Sequence, residues 1–360
     1  MKLLMLSCFG IANYGSALLT FATQKKMEEY FDEIETIHAP HYYRYRDIIK
    51  TQKSPFKIVN STIVQMIFKR RYKHGLKCFS VEDGRFVHSD EELKLLNPQA
   101  DVYCTGSDQI WNVDFLESVL GARFLSFAPK GARKFAYSSS FGKDSLEKSK
   151  VEQTKGWVSE FEKISVREDT GLKILQEQYN YQNAIQLVDP TLAMPPDFWR
   201  KYASKRKVKE DYILVYMLSR NKAADDYVQK ISSKTGLPIV RLCHNLNQTR
   251  SNGKKMLFPT IPDFLSLFDN AKYVFTDSFH GVAFSLNLNS SPIVILPEKY
   301  TGRLTSILRL VNEENRIVTS FDNFEILNHN VDFNHVNTIL AKERERVDEF
   351  LKEMVEKAKS

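Results

Sequence analysis

Apolar residues recur along this chain in two alternating rhythms. Short runs rich in β-branched and aromatic residues, beginning with "KLLMLSCF", read as strands. Stretches with apolar residues three and four apart, beginning with "SALLTFATQKKMEEYF", read as helices, and the loop "GIANYG" joins the first pair. The runs "DVYCT", "RKFAYSSS", "KISVRE" and "AIQLVDP" repeat the strand signal, the third leading into the helical pattern "EDTGLKILQEQY". Strands alternating with helices predict βαβ units around a largely parallel sheet.

The segment "PTLAMPPDFWRKYASKRKVKED" breaks this rhythm with three prolines and a basic run, and it marks a domain junction. A second set of strands follows in "YILVYML", "LPIVRL", "KYVFTD" and "SPIVILP", and the charged "HVNTILAKERERVDEFLKEMVEKAKS" predicts one long helix. The expected fold class is α/β, with two Rossmann-like domains facing a cleft. The first spans 1–192 with a basic helical insertion near 41–96, and the second spans 193–334. The terminal helix, 335–360, is expected to pack back on the first domain.

Length agrees with two cores, since 360 residues exceed one ordinary domain. With 42% hydrophobic and 26% charged residues the composition is that of a globular protein. No apolar run approaches the roughly 20 residues that a membrane span needs. The opening run is read as a buried strand, not a leader, because Asn13, Tyr14 and Gly15 end it without a small-residue cleavage site. Cys8, Cys78, Cys104 and Cys243 form no close pair, which argues against a disulfide framework or a zinc knuckle and for a reducing, cytoplasmic setting.

Charge changes the picture in one place. Between His41 and Arg85 eleven Lys/Arg face three Asp/Glu, a net +8 that includes Lys69, Arg70, Arg71 and Lys73. This segment reads either as a solvated helix or as a patch for an anionic membrane face or a lipid-linked pyrophosphate. No helix-turn-helix or stacking platform accompanies the charge, so nucleic acid is not an expected partner.

Ligands of open parallel sheets bind beyond the carboxyl ends of the strands, which selects four stretches. "GIANYGS" follows the first strand and offers Asn13 and Gly15, without a dinucleotide fingerprint. "TGSDQIWN" gathers Ser107, Asp108, Gln109 and Trp111, a mix suited to sugar hydroxyls and an apolar sugar face, or to a plain helix-capping turn. "SVREDTG" puts Arg167 at a strand end, where it can grip a carboxylate or phosphate, or pair with Glu168 or Asp169. "TDSFHG" puts Ser278, Phe279, His280 and Gly281 at a strand-to-helix turn, a natural anion site, although lone histidines are commonly structural. Neither a clustered His/Cys set nor a nucleophile elbow is present, so no metal and no serine hydrolase is expected.

Taken in order, "NYGSALL", "DVYCTGSDQIWN", "FAYSSSFG", "ISVRED", "LVDPTL", "AKYVFTDSFHGVAFSLNLNSSPIVI" and "GRLTSIL" resemble the polysaccharide pyruvyl transferase family from Asn13 to about Leu308. The resemblance implies a GT-B-like fold and transfer of a pyruvyl group from phosphoenolpyruvate to a sugar as a ketal, with no further cofactor. It implies a capsular or surface-polysaccharide acceptor; the patch reading of the basic segment would add a lipid-pyrophosphate linkage and peripheral contact at the inner membrane face.

By the same resemblance, Arg167 corresponds to a donor-contacting arginine and His280 to the donor-site histidine; the strand-to-helix turn itself puts His280 at a cleft-facing helix start. Arg303 falls in a basic position before the next helix. Many members carry an arginine where this chain has Ser278, and Lys299 and Arg303 are the nearest cations that could compensate. Asp108 is the candidate for orienting or deprotonating the acceptor hydroxyl, and His280 the candidate acid. The alternatives are a nucleotide-sugar glycosyltransferase on the same fold and a non-catalytic glycan-binding protein.

Overall fold

The opening apolar run forms strand β1 (Lys2–Ser7), buried at every residue after Lys2. In the computed structural model the described residues are 1–9, 13–39, 62, 66–67, 70, 85–219, 221–244, 246–298 and 301–359. They fall into two compact units. The first comprises residues 1–9, 13–39 and 85–193 together with Lys342–Lys359, and the second comprises Met194–Ala341 together with Thr62, Met66, Ile67 and Arg70.

In the first unit, β1 lies between β2 (Glu33–His38) and β4 (Val102–Thr105), parallel to both. The other strands are β3 (Arg85–Phe86), β5 (Arg133–Ser139), β6 (Lys163–Val166) and β7 (Ala184–Gln186). The sheet order is β3-β2-β1-β4-β5-β6-β7, so the chain reverses direction across the sheet between β1 and β4. Helix α1 (Tyr14–Met27) starts where Asn13 accepts hydrogen bonds from Gly15 N and Ser16 N. The core gathers Leu4, Leu6, Ile110, Trp111, Phe124 and Phe141.

The second unit repeats the plan with β8 (Ile213–Tyr216), β9 (Ile239–Cys243), β10 (Lys254–Leu257), β11 (Tyr273–Thr276) and β12 (Ser291–Val294). Their order is β10-β9-β8-β11-β12, all parallel, with the reversal between β8 and β11. Its core is built on Ile213, Val215, Tyr227, Phe275 and Ile293. Helices α2 (Ile261–Asp269), α3 (Phe279–Asn287) and α4 (Gly302–Leu310) follow their strands as the apolar spacing predicts.

Three strands carry no apolar run and escape the pattern: β2, "EIETIH", the two-residue β3, "RF", and β10, "KKML". All three lie toward sheet margins and stay half exposed, so a neighbour's backbone ladder recruits them where side-chain burial does not. The terminal stretch forms α5 (Phe333–Lys359). Its later part is tied within the first unit: Tyr30 donates to Asp348 at 2.7 Å, Lys163 pairs with Glu353, and Arg346 donates to Gln186 O at 2.9 Å. Cys8, Cys104 and Cys243 are buried free thiols. No helix among the described residues is long and apolar enough to cross a membrane.

Candidate functional site

In the first unit the carboxyl ends of β4, β5 and β6 converge on Arg167. Its guanidinium donates to Asp189 Oδ2 at 3.0 Å, to Asp108 Oδ1 at 3.3 Å and to Glu168 Oε2 at 3.3 Å. Burial opposes the charge on Arg167, but the carboxylates of Asp108, Asp189 and Glu168 outweigh it and hold its pKa above the ordinary arginine value. All four residues are buried. The guanidinium expected to grip the donor is thus held by three carboxylates of its own unit.

Serines knit the cluster. Ser107 donates to Ser138 O at 2.6 Å, Ser138 to Val188 O at 2.8 Å and Ser139 to Gly106 O at 2.9 Å, while Ser140 donates to Glu168. The run "SSS" at the end of β5 is therefore a set of strand-end ties. Two non-glycine residues here take the left-handed conformation, Asp108 with φ 70° and Ser138 with φ 49°. Asp108 bridges to Ser139, and a register shift separates Ala136 from Ser139, so a bulge aims this loop. The Asp108 carboxylate also accepts from Gln109 N at 2.9 Å.

Trp111 departs from expectation. Its ring is fully buried, stacked on Phe124 with 5.2 Å between centroids, and its Nε1 donates to Arg123 O at 3.1 Å. An indole so placed offers no face to a sugar; the apolar residue at that loop position went into the core. Ser107 is buried as well, and Gln109 Oε1 accepts from Asn112 Nδ2 at 3.0 Å. Asn13 caps α1, and Gly15 is buried in its first turn.

In the second unit β11 runs into α3 through Asp277 and Ser278. Ser278 accepts from Gly281 N at 3.3 Å as the helix cap, and its own N donates to Thr276 Oγ1 at 3.0 Å. Burial pushes the pKa of the Tyr216 hydroxyl, at the end of the adjacent β8, far up. Ser278 is 3% exposed, so an arginine there would lose the cap and lack room for its side chain. Phe279 is buried, and His280 is 7% exposed, which corrects the expected open position at the helix start. Their rings meet edge to face at 5.3 Å. Arg303 sits half-buried in the first turn of α4, and Lys299 lies outside the described residues.

Sequence reasoning missed Asp277 and His244. Asp277 accepts from Leu218 N at 2.6 Å and Ser219 N at 3.0 Å, and burial pushes its carboxyl pKa up against those bonds. His244 follows β9; burial depresses its pKa to about 4, so its imidazole is neutral. The strand end before Asp277 was legible, but its partners come from the loop after β8. Among the described residues no group of three His, Cys, Asp or Glu could hold a metal ion. Of the basic segment, Thr62, Met66, Ile67 and Arg70 are described within 41–84; they are helical, and the last three are exposed. The remainder of 41–84 lies outside the described residues.

A family model described as polysaccharide pyruvyl transferase matches residues 13–297, which include Arg167, the turn at Ser278 and His280. No curated protein matches the chain. Among solved structures, UDP-N-acetylglucosamine 2-epimerase from Rickettsia bellii is 11% identical with a TM-score of 0.55, over 98% of this chain and 98% of that one. MnaA of S. aureus, solved with UDP, is 12% identical with a TM-score of 0.51, over 96% of this chain and 89% of that one. An alpha-glucosyltransferase in complex with UDP is 10% identical with a TM-score of 0.50, over 99% of this chain and 94% of that one. At such identities the likeness is one of fold, and the fold class is GT-B.

Proposed function

We propose, for a chain that belongs to the polysaccharide pyruvyl transferase family, that it moves a pyruvyl group from phosphoenolpyruvate to a sugar of a polysaccharide precursor. The family match over 13–297 carries this reading. In the proposed reaction a proton is added to the methylene carbon of the enol, and a sugar hydroxyl adds to C2. Phosphate leaves with its bonding electrons, and a second hydroxyl takes its place to close the ketal. Phosphate and carboxylate oxygens suit the backbone N–H groups of the first turn of α3, with the Arg303 cation as the proposed counter-charge.

His280 is the proposed proton donor, because an imidazole titrates in the range such a step needs. Asp108 is proposed to orient an acceptor hydroxyl. Arg167 then acts by holding Asp108 in place, a role its three carboxylate bonds support. The reading includes a lipid-pyrophosphate-linked glycan as acceptor and peripheral membrane contact through the basic segment.

The rival is a nucleotide-sugar transferase, which the UDP bound in two of the structural neighbours favours. Thermal shift separates the two. Phosphoenolpyruvate raises the melting temperature under the first reading, whereas UDP alone does so under the second. Release of phosphate from phosphoenolpyruvate that depends on a glycan acceptor would establish transfer. Protection by UDP with none by phosphoenolpyruvate would overturn it.

A further inference from the structure

The loop after β8, Met217–Ser219, is held from both neighbouring strand ends. From the β11 side, the Asp277 carboxylate accepts from Leu218 N at 2.6 Å and from Ser219 N at 3.0 Å. From the β9 side, Gln248 Nε2 donates to Met217 O at 2.6 Å while Gln248 Oε1 accepts from His244 N at 2.9 Å. Three consecutive residues beyond the end of the ladder thus have backbone groups taken by side chains of adjacent loops. Surface loops ordinarily leave such groups to water. Leu218, pinned through its backbone, nonetheless keeps its side chain 51% exposed.

The place matters as much as the bonding. The sheet order β9-β8-β11 puts this loop at the reversal point of the second unit, where open parallel sheets bind their ligands. On the same edge Ser278, next in the chain to Asp277, caps α3, so loop and helix cap are joined through one pair of adjacent residues. A buried, hydrogen-bonded frame carrying an exposed apolar tip is the arrangement of a preorganised wall.

We propose that Asp277 is a positioning residue: by holding the N–H groups of Leu218 and Ser219 it fixes the loop after β8 as one wall of the ligand site, with Leu218 at its tip. The identity of the ligand rests on the function proposed above; the wall does not. A carboxylate is suited to this task because each of its two oxygens takes one N–H. An amide of the same shape has one acceptor and would turn an NH2 group toward the second donor.

Asp277→Asn in the full chain therefore keeps volume and removes one half of the grip. Hydrogen exchange at Leu218 and Ser219 should accelerate roughly tenfold or more, and the dissociation constant for phosphoenolpyruvate by calorimetry should rise by a similar factor. Gln248→Ala, which releases the loop from the other side, should act in the same direction. Unchanged exchange in Asp277→Asn would overturn the proposal. So would faster exchange with wild-type affinity, which would make the bonds merely structural. If the wild-type protein binds no phosphoenolpyruvate, the function proposed above fails and UDP becomes the probe. A loosened loop that weakens UDP binding then supports the wall, and UDP affinity that is unchanged or absent overturns it.

Discussion

Gly281 lies so close to Thr276 that a Cβ at position 281 would come within 2.1 Å of the Thr276 hydroxyl oxygen. The glycine at the start of α3 thus lets the helix pack on the strand before it, and a ligand need not approach for it to be required. Gly281→Ala should destabilise the protein by about 1–3 kcal/mol through overpacking, although alanine alone would favour the helix by about 1 kcal/mol. Urea unfolding measures the sum. A variant as stable as the wild type would mean that Thr276 turns aside at no cost.

Arg167 variants are expected to fail first as folds. Arg167→Met leaves the buried Asp108, Glu168 and Asp189 without their guanidinium, a loss on the order of 3–5 kcal/mol. Arg167→Lys keeps the charge but cannot reach three carboxylates, and should fall between the two. Guanidinium chloride unfolding of both variants decides it. Unchanged midpoints would return Arg167 to a ligand-gripping role.

Trp111→Ala should cost about 3–5 kcal/mol, the scale for emptying a large aromatic site in a core. Trp111→Phe removes the Nε1 bond to Arg123 O and part of the stacking on Phe124, and should cost about 1–2 kcal/mol. Binding of a glycan acceptor, measured where the Phe variant remains folded, should match the wild type. Selective loss of acceptor binding would restore the indole to the site.

His280 separates chemistry from packing through two substitutions. His280→Ala should lose roughly 100-fold or more in phosphoenolpyruvate turnover, the usual scale for a general acid. Because His280 is 7% exposed, the same change should also lower the melting temperature moderately. His280→Gln fills most of the space and donates a hydrogen bond but does not titrate. Near-normal turnover in the Gln variant would make His280 a ligand contact and remove the acid role.

The stability of the protein should fall as pH drops from about 6.5 toward about 4, in part through His244. Its folded pKa is depressed by burial to about 4, while the unfolded imidazole titrates near 6.5. Across that window the unfolded chain binds the extra proton, so acidification favours unfolding; the full effect is on the order of 3 kcal/mol. His244→Gln should flatten this part of the stability profile. An unchanged profile would show that the imidazole is solvated enough to titrate normally.

What the sequence by itself determined was the order and kind of the buried elements, because these follow from local periodicity. A strand such as β11 or a helix such as α3 must carry its apolar residues at fixed intervals, and Thr276–Ser278 must end one and cap the other. The α/β class followed from the alternation of strand and helix patterns, and the family from seven motifs in a fixed order. Strands β2, β3 and β10 were not legible, since half-exposed margins need no apolar run.

The tertiary structure alone decided which polar residues serve one another. Nothing local to "SVREDTG" shows that Arg167 meets Asp108 and Asp189, which lie 59 and 22 positions away. Nothing in "TGSDQIWN" shows that its indole turns inward to Arg123. "TDSFHG" does not show that Asp277 reaches back 59 positions to the Leu218 amide. Buried charges and donors must be paired, and in a parallel sheet the partners arrive from strands adjacent in space but distant in sequence. Periodicity encodes the burial of a face; it carries no record of which loop that face will meet.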